Sequence, residues 1–301
     1  MPAMVPKIAL CVLTTRDIVH WDLWADWMAG HEDKVAMFVH FSRKDMKNIT
    51  QKVLRRRRIP RCIDTMWGDV SLVKAEGLLY AHALRDKNIR CTVLISPSDV
   101  PTRSFEYTYA RLMRSAKSHV SFMQNVDGSA NDGSSCIAFI KKRKCATSMR
   151  KYIDHRPCET ISQWKILQRS DAKRFVAMLR DRGFVRLFSN QCVHFRPSGQ
   201  APDEYMFPLW INYLYRKKGS RRSVITHFID ANTTYVEFKG KRIWSPTKQR
   251  YDVRSAAHPV QIRHIGRARR REICEEGSMF MRKVDSANPA RLRSSLPLTC
   301  R

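Results

Sequence analysis

Three short apolar runs constrain what this chain can fold into more than any other feature. Lys7 to Leu13 reads KIALCVL, Val35 to His40 reads VAMFVH, and Cys91 to Ile95 reads CTVLI. Each is short and apolar at consecutive positions, so both faces of the strand it would form need cover. That is the situation of a strand inside a parallel sheet. Between the runs lie segments of helical periodicity. Trp21 to Met28 is one, and Val70 to Leu84 is another, with apolar residues at Val70, Val73, Leu78, Leu79 and Ala81. Phe105 to Met113 reads as a helix, and Ile63 to Met66 and Val120 to Met123 as short strands. The basic run Arg55 to Arg58 reads as a helix end or loop facing water. This alternation predicts an α/β fold, a mostly parallel sheet with helices on both faces. Ligands of such sheets sit at the carboxyl ends of the strands. Here those ends are Thr14-Thr15-Arg16, Phe41-Ser42 and Ser96 to Asp99.

The middle of the chain differs. Asp127 to Lys151 carries Gly128, Ser129, Gly133, Ser134, Ser135 and the basic cluster Lys141 to Lys144, and reads as a long irregular excursion. Order returns at Ser162-Gln163-Trp164. Ser170 is placed to cap a helix that ends near Gly183, a further helix starts at Pro202, and Thr234 to Phe238 alternates as a strand. The expected organisation is one domain over residues 1–287, with halves at 7–125 and 159–287 joined by a loop at 126–158. A basic, frayed tail at 288–301 would follow.

Charge and cysteine content bound the partners. The chain has 301 residues, with 56 lysines and arginines against 27 acids, a formal net charge of +29. Such a field attracts polyanions: nucleotide diphosphates, nucleic acid, sulfated glycans and anionic membrane surfaces. It does not choose among them, and a non-catalytic polyanion- or nucleic-acid-binding protein is the alternative class. No apolar run approaches the roughly 18 residues of a membrane span, and the start of the chain does not read as a signal peptide. The nine cysteines are scattered singly, which predicts reduced thiols, a cytoplasmic protein and no structural zinc.

Two segments carry candidate chemistry. Pro202-Asp203-Glu204 is an ordinary helix start, with acids facing the positive end of the dipole. The same placement could aim a carboxylate into a cleft as a general base. Arg263, Arg267 and Arg269 to Arg271 precede Met279-Phe280-Met281-Arg282-Lys283, either a solvated basic face or an anion clamp. Phosphate-loop, dinucleotide, nucleophile-elbow and metalloprotease motifs are absent, as is the Asp-x-Asp pair that holds manganese in many nucleotide-sugar transferases.

In order along the chain, eight segments resemble one family. They are Lys7 to Trp24, Phe38-Val39-His40, Trp67 to Glu76 (WGDVSLVKAE), Leu94 to Pro101 (LISPSDVP), Ser162-Gln163-Trp164, Asp203-Glu204-Tyr205, Thr234 to Glu237, and Phe280 to Lys283. Together they resemble the core-2/I-branching β-1,6-N-acetylglucosaminyltransferases, glycosyltransferase family 14, and within it the plant-type branch. Phe41-Ser42 stands where the branching enzymes carry an aspartate, and Phe238 where the animal enzymes place an acceptor-contacting tryptophan.

That resemblance implies a GT-A-type, Rossmann-like fold and an inverting transfer from a UDP-sugar, with UDP-N-acetylglucosamine favoured. The acceptor would be a hydroxyl of a glycan, glycoprotein or glycolipid. It implies no metal cofactor. Glu204 would be the general base, and Arg263 and Lys283, with Arg282, would hold the diphosphate. Thr14, Thr15, Trp67, Asp99, Gln163, Trp164, Asp203 and Phe238 would line the donor and acceptor pocket.

Overall fold

The computed structural model describes residues 4–123, 152, 160–189, 202–220, 224–237, 242–245, 250–253, 259–285, 292, 294–298 and 300. The expected excursion at 127–151 and Phe238 lie outside them. The core is a six-stranded sheet. β1 (Lys7–Leu13) pairs in parallel with β2 (Val35–His40) on one side and β3 (Ile89–Ile95) on the other. Beyond β3 come β8 (Ile166–Gln168), antiparallel to it, then β5 (His119–Val120) and β9 (Ile229–Asp230). The sheet is mixed and mostly parallel, as the apolar runs predict.

Alternation along β1 explains why the run is apolar throughout. Ala9 and Cys11 enter one core, while Ile8, Leu10 and Val12 enter the other. One face is covered by α1 (Trp21–Met28), α2 (Lys52–Arg56) and α4 (Phe105–Arg114), through Trp24, Trp27, Leu54, Phe105 and Leu112. The other is covered by α3 (Val70–Ala83), α5 (Arg169–Arg180), α6 (Arg182–Ser189) and α7 (Pro202–Lys217). Asp69 caps α3, its side chain accepting from the Ser71 amide at 2.7 Å. Gly68 before it has φ +71°, a conformation that disfavours a side chain.

A second, three-stranded sheet carries β13 (Phe280–Arg282) between β10 (Thr234–Val236) and β4 (Val100–Pro101). After the short helix α8 (Val224–His227), helix α9 (Arg267–Glu276) packs against this sheet and ends at Gly277, φ +66°.

Several expectations change. Residues 63–66 form no strand, because that segment has no neighbour to pair with and its Met66 faces solvent. Residues 120–123 split into β5, in the main sheet, and β6 (Phe122–Met123), which pairs with β7 (Thr160–Ile161) in a separate two-stranded sheet. The helix expected to be capped by Ser170 has its N-cap two residues earlier, at Gln168, and runs from Arg169 to Arg180. The tail is not frayed where it is described: Leu292 and Leu298 are buried beside α9, and the Leu298 amide donates to Thr102 O at 2.8 Å. Cys300 there is joined to Cys274 in a disulfide, Cα atoms 5.5 Å apart. This corrects the expectation that all cysteines are reduced; the partners lie far apart in sequence and meet only because the tail packs onto α9. No described helix is long and apolar enough to cross a membrane.

Candidate active site

The carboxyl ends of β1 and β3 meet the strand that carries Arg282. Asp99 is fully buried in the turn after β3. The Ser96 amide and hydroxyl donate to its carboxylate at 2.8 and 2.6 Å, and Arg282 Nε lies 3.5 Å from its Oδ1. Burial pushes this carboxyl up to about 6, against the opposing pull of Arg282 and Ser96. The Arg282 guanidinium stacks on Trp164, 4.0 Å from the ring centroid.

Lys283 follows at the end of β13. Its ammonium is held below its usual value, first by burial and then by the like charges of Arg282 and Arg16. Arg16 comes from the loop after β1, where the Thr14 hydroxyl accepts from the Arg16 amide at 3.1 Å and turns the chain. Among the described residues no carboxylate pairs with Arg16 or Lys283. The loops are tied together by backbone bonds. The Val284 amide donates to Ser98 O at 3.0 Å, and the His20 ring contacts Asp285 O at 2.9 Å. Three cations therefore converge at the strand ends, with one carboxylate among them.

Arg263 behaves differently. Its segment pairs with residue 284, and the Ile262 amide donates to Lys283 O at 2.7 Å. Its side chain is 73% exposed and bonds to Asp285 at 3.1 Å. Thr14 is buried and Thr15 exposed at the same strand end. Trp67, expected in the pocket, is 84% exposed on the loop before α3.

A buried charge network begins at the residue after Trp164. Lys165, fully buried, lies 2.8 Å from Glu76 of α3. The Tyr80 hydroxyl donates to Glu76 at 2.7 Å, and Lys165 donates to Gln163 O at 3.2 Å. Asp203, in the first turn of α7, is buried as well. Burial raises its carboxyl, and the charge of Lys165 opposes that rise. Glu204 follows it, half-buried. Thus the Trp164-Lys165 dipeptide touches the cation cluster through its indole and senses the start of α7 through its ammonium.

Sequence reasoning singled out Arg282, Lys283, Asp99, Trp164, Gln163 and the Asp203-Glu204 pair. It noted Arg16 as a strand-end residue without giving it a role, and it missed the Glu76–Lys165 pair. Glu76 closes the WGDVSLVKAE segment and Lys165 follows Ser162-Gln163-Trp164, so both signals stood inside motifs already noted. A separate cavity of about 500 Å³ is lined by Asp171, Arg174, Tyr215 and His227. It lies by the amino end of β3, where Arg169 bonds to Ile89 O at 3.0 Å, away from the carboxyl strand ends where sheets of this kind hold ligands.

A family model described as Core-2/I-Branching enzyme matches residues 8–269 of the chain. The chain is also 29% identical over 178 residues to the rice protein "Glycosyltransferase BC10" of Oryza sativa subsp. japonica. That alignment covers 57% of this chain and 39% of the rice protein, so the chain spans well under half the length of that relative.

Proposed function

Because the chain belongs to the Core-2/I-branching enzyme family, a family of glycosyltransferases, we propose that it moves N-acetylglucosamine from a UDP-sugar to a glycan hydroxyl. The acceptor sits on a glycoprotein or glycolipid. The acceptor oxygen forms a bond to the anomeric carbon as the bond from that carbon to the phosphate oxygen breaks. The bonding pair leaves with UDP, and the configuration inverts. Glu204 takes the proton from the hydroxyl, a contribution of roughly 10²–10⁴-fold.

Leaving UDP gains negative charge, and fixed cations stabilise it where other transferases use a divalent ion. Lys283 and Arg282 hold the diphosphate, Arg16 adds to them, and Arg263 takes the rim. Asp99 orients Arg282. Thr14, Thr15, Gln163 and Trp164 line the donor side, and Asp203 anchors the turn that presents Glu204. The observation that supports this reading is the convergence of Arg16, Arg282 and Lys283 beside Trp164. The charge of its chain neighbour Lys165 acts on Asp203, which precedes Glu204.

The test is UDP release from a panel of UDP-sugars, alongside thermal stabilisation by each, since a ligand of the native state raises its apparent stability. UDP-N-acetylglucosamine should give the largest signal, and EDTA should leave it unchanged. Glu204→Gln should abolish release while UDP still stabilises the fold. Retained turnover in that variant removes Glu204 from the mechanism, and loss of activity in EDTA removes the metal-free account.

A further inference from the structure

Residues 43–67 hold nine lysines and arginines against two acids, Asp45 and Asp64. Eight of the nine cations are exposed: Arg43, Lys44, Lys47, Lys52, Arg55, Arg56, Arg57 and Arg61. Asp45 is buried and accepts from the Ser42 hydroxyl at 2.6 Å, so it adds little to the surface. Among the described residues no carboxylate forms an ion pair with any of the eight.

The same stretch carries exposed apolar side chains. Met46 is 37% exposed, Met66 67% and Trp67 84%, three of the seven large apolar side chains exposed among the described residues. The two parts of the stretch share a face, because Lys44 Nζ donates to Thr65 O at 3.4 Å. Asn48 donates to Thr15 O at 3.3 Å, which joins this face to the loop after β1. The patch therefore borders the strand ends that form the candidate active site.

We propose that this face docks the protein on an anionic lipid surface, with the cations over the headgroups and Met46, Met66 and Trp67 entering the interface. Basic side chains are drawn to acidic headgroups, each adding to affinity, and the attraction is screened by salt. An exposed tryptophan beside apolar neighbours suits the headgroup boundary, where its ring is apolar and its N–H stays wet. A nucleic acid would match the charge, but single-strand grooves rest on several aromatic stacking platforms, and this face offers one exposed indole beside two methionines. Docking by this face would bring the site mouth to acceptors held at the same surface. The docking itself does not depend on the transferase assignment.

The experiment is flotation of the full chain with phosphatidylcholine vesicles, with and without phosphatidylserine. Duplex and single-stranded DNA serve as competitors. Flotation should require phosphatidylserine and weaken as salt rises. The variant R43E/K47E/R56E/R61E, whose side chains make no hydrogen bond or ion pair among the described residues, should bind at least ~100-fold more weakly with an unchanged melting temperature. The variant M66S/W67S should bind several-fold more weakly at constant charge. Three results would overturn the proposal: no flotation with acidic vesicles, full flotation by the charge variant, or an apolar variant indistinguishable from the parent. Tighter binding to DNA than to acidic vesicles would replace it with a nucleic-acid surface.

Discussion

Lys165 and Lys283 are the same residue type, close to the same tryptophan, in opposite electrostatic company. Lys165 is sealed from water against Glu76, with Tyr80 and Gln163 O completing the set. Lys283 is half-buried beside Arg282 and Arg16, two like charges. The first arrangement satisfies its charges internally and can contribute only to the fold. The second gathers three positive charges around one acid, Asp99, and lowers its free energy when a further anion arrives. The difference lies in partners rather than residue types, and it separates scaffold from site.

The largest expected effect breaks the first arrangement. Lys165→Met leaves Glu76 as an uncompensated buried charge, which should cost roughly 3–5 kcal/mol in urea unfolding. Adding Glu76→Gln should recover much of that, because the stranded charge is removed. Lys283→Met should leave the urea midpoint nearly unchanged, as it removes repulsion rather than a pair. Equal losses at both lysines would erase the distinction.

Asp99 gives the next effect, through pH. Its folded pKa near 6 stands above the 3.8 of a free aspartate. The folded state therefore holds this proton more tightly than the unfolded chain. The stability contributed is fully present below about pH 4 and is lost as pH rises through about 6. Two units correspond to about 3 kcal/mol. The stability of the parent relative to Asp99→Asn should fall between pH 4 and 6 and stay level above. A difference flat across that range would mean that Arg282 keeps Asp99 ionised throughout.

Legibility in the sequence followed the range of the interactions. β1, α1 and β2 span the residues their apolar patterns predict, because each pattern is local and long enough to show a period. The strand ends followed, and with them Thr14, Asp99 and the neighbourhood of Arg282. Two-residue strands such as β5 and β6 have no period to read, so residues 120–123 looked like one strand. The Glu76–Lys165 pair joins residues 89 apart, and the Cys274–Cys300 bond joins residues 26 apart. Neither leaves a local mark. Arg263 shows the remaining gap: the pattern of basic residues was visible, but its bond to Asp285 depends on how two neighbouring segments pair.

The cation cluster itself supplies the smallest and most discriminating effect. If Arg282, Lys283 and Arg16 act on one diphosphate, each contributes according to its burial. Lys283→Ala removes a partly buried charge-assisted bond, worth about 1.5–3 kcal/mol, or roughly 10–100-fold in UDP affinity. Arg16 is exposed, so its share should be about tenfold or less and should shrink as salt rises. Because both would touch the same ligand, their losses should not add, and a double-mutant cycle measured by UDP titration should show a coupling of at least ~0.5 kcal/mol. Additive losses, or an Arg16→Ala effect insensitive to salt, would place Arg16 outside the phosphate site. The cluster would then reduce to the adjacent pair on β13 and its end.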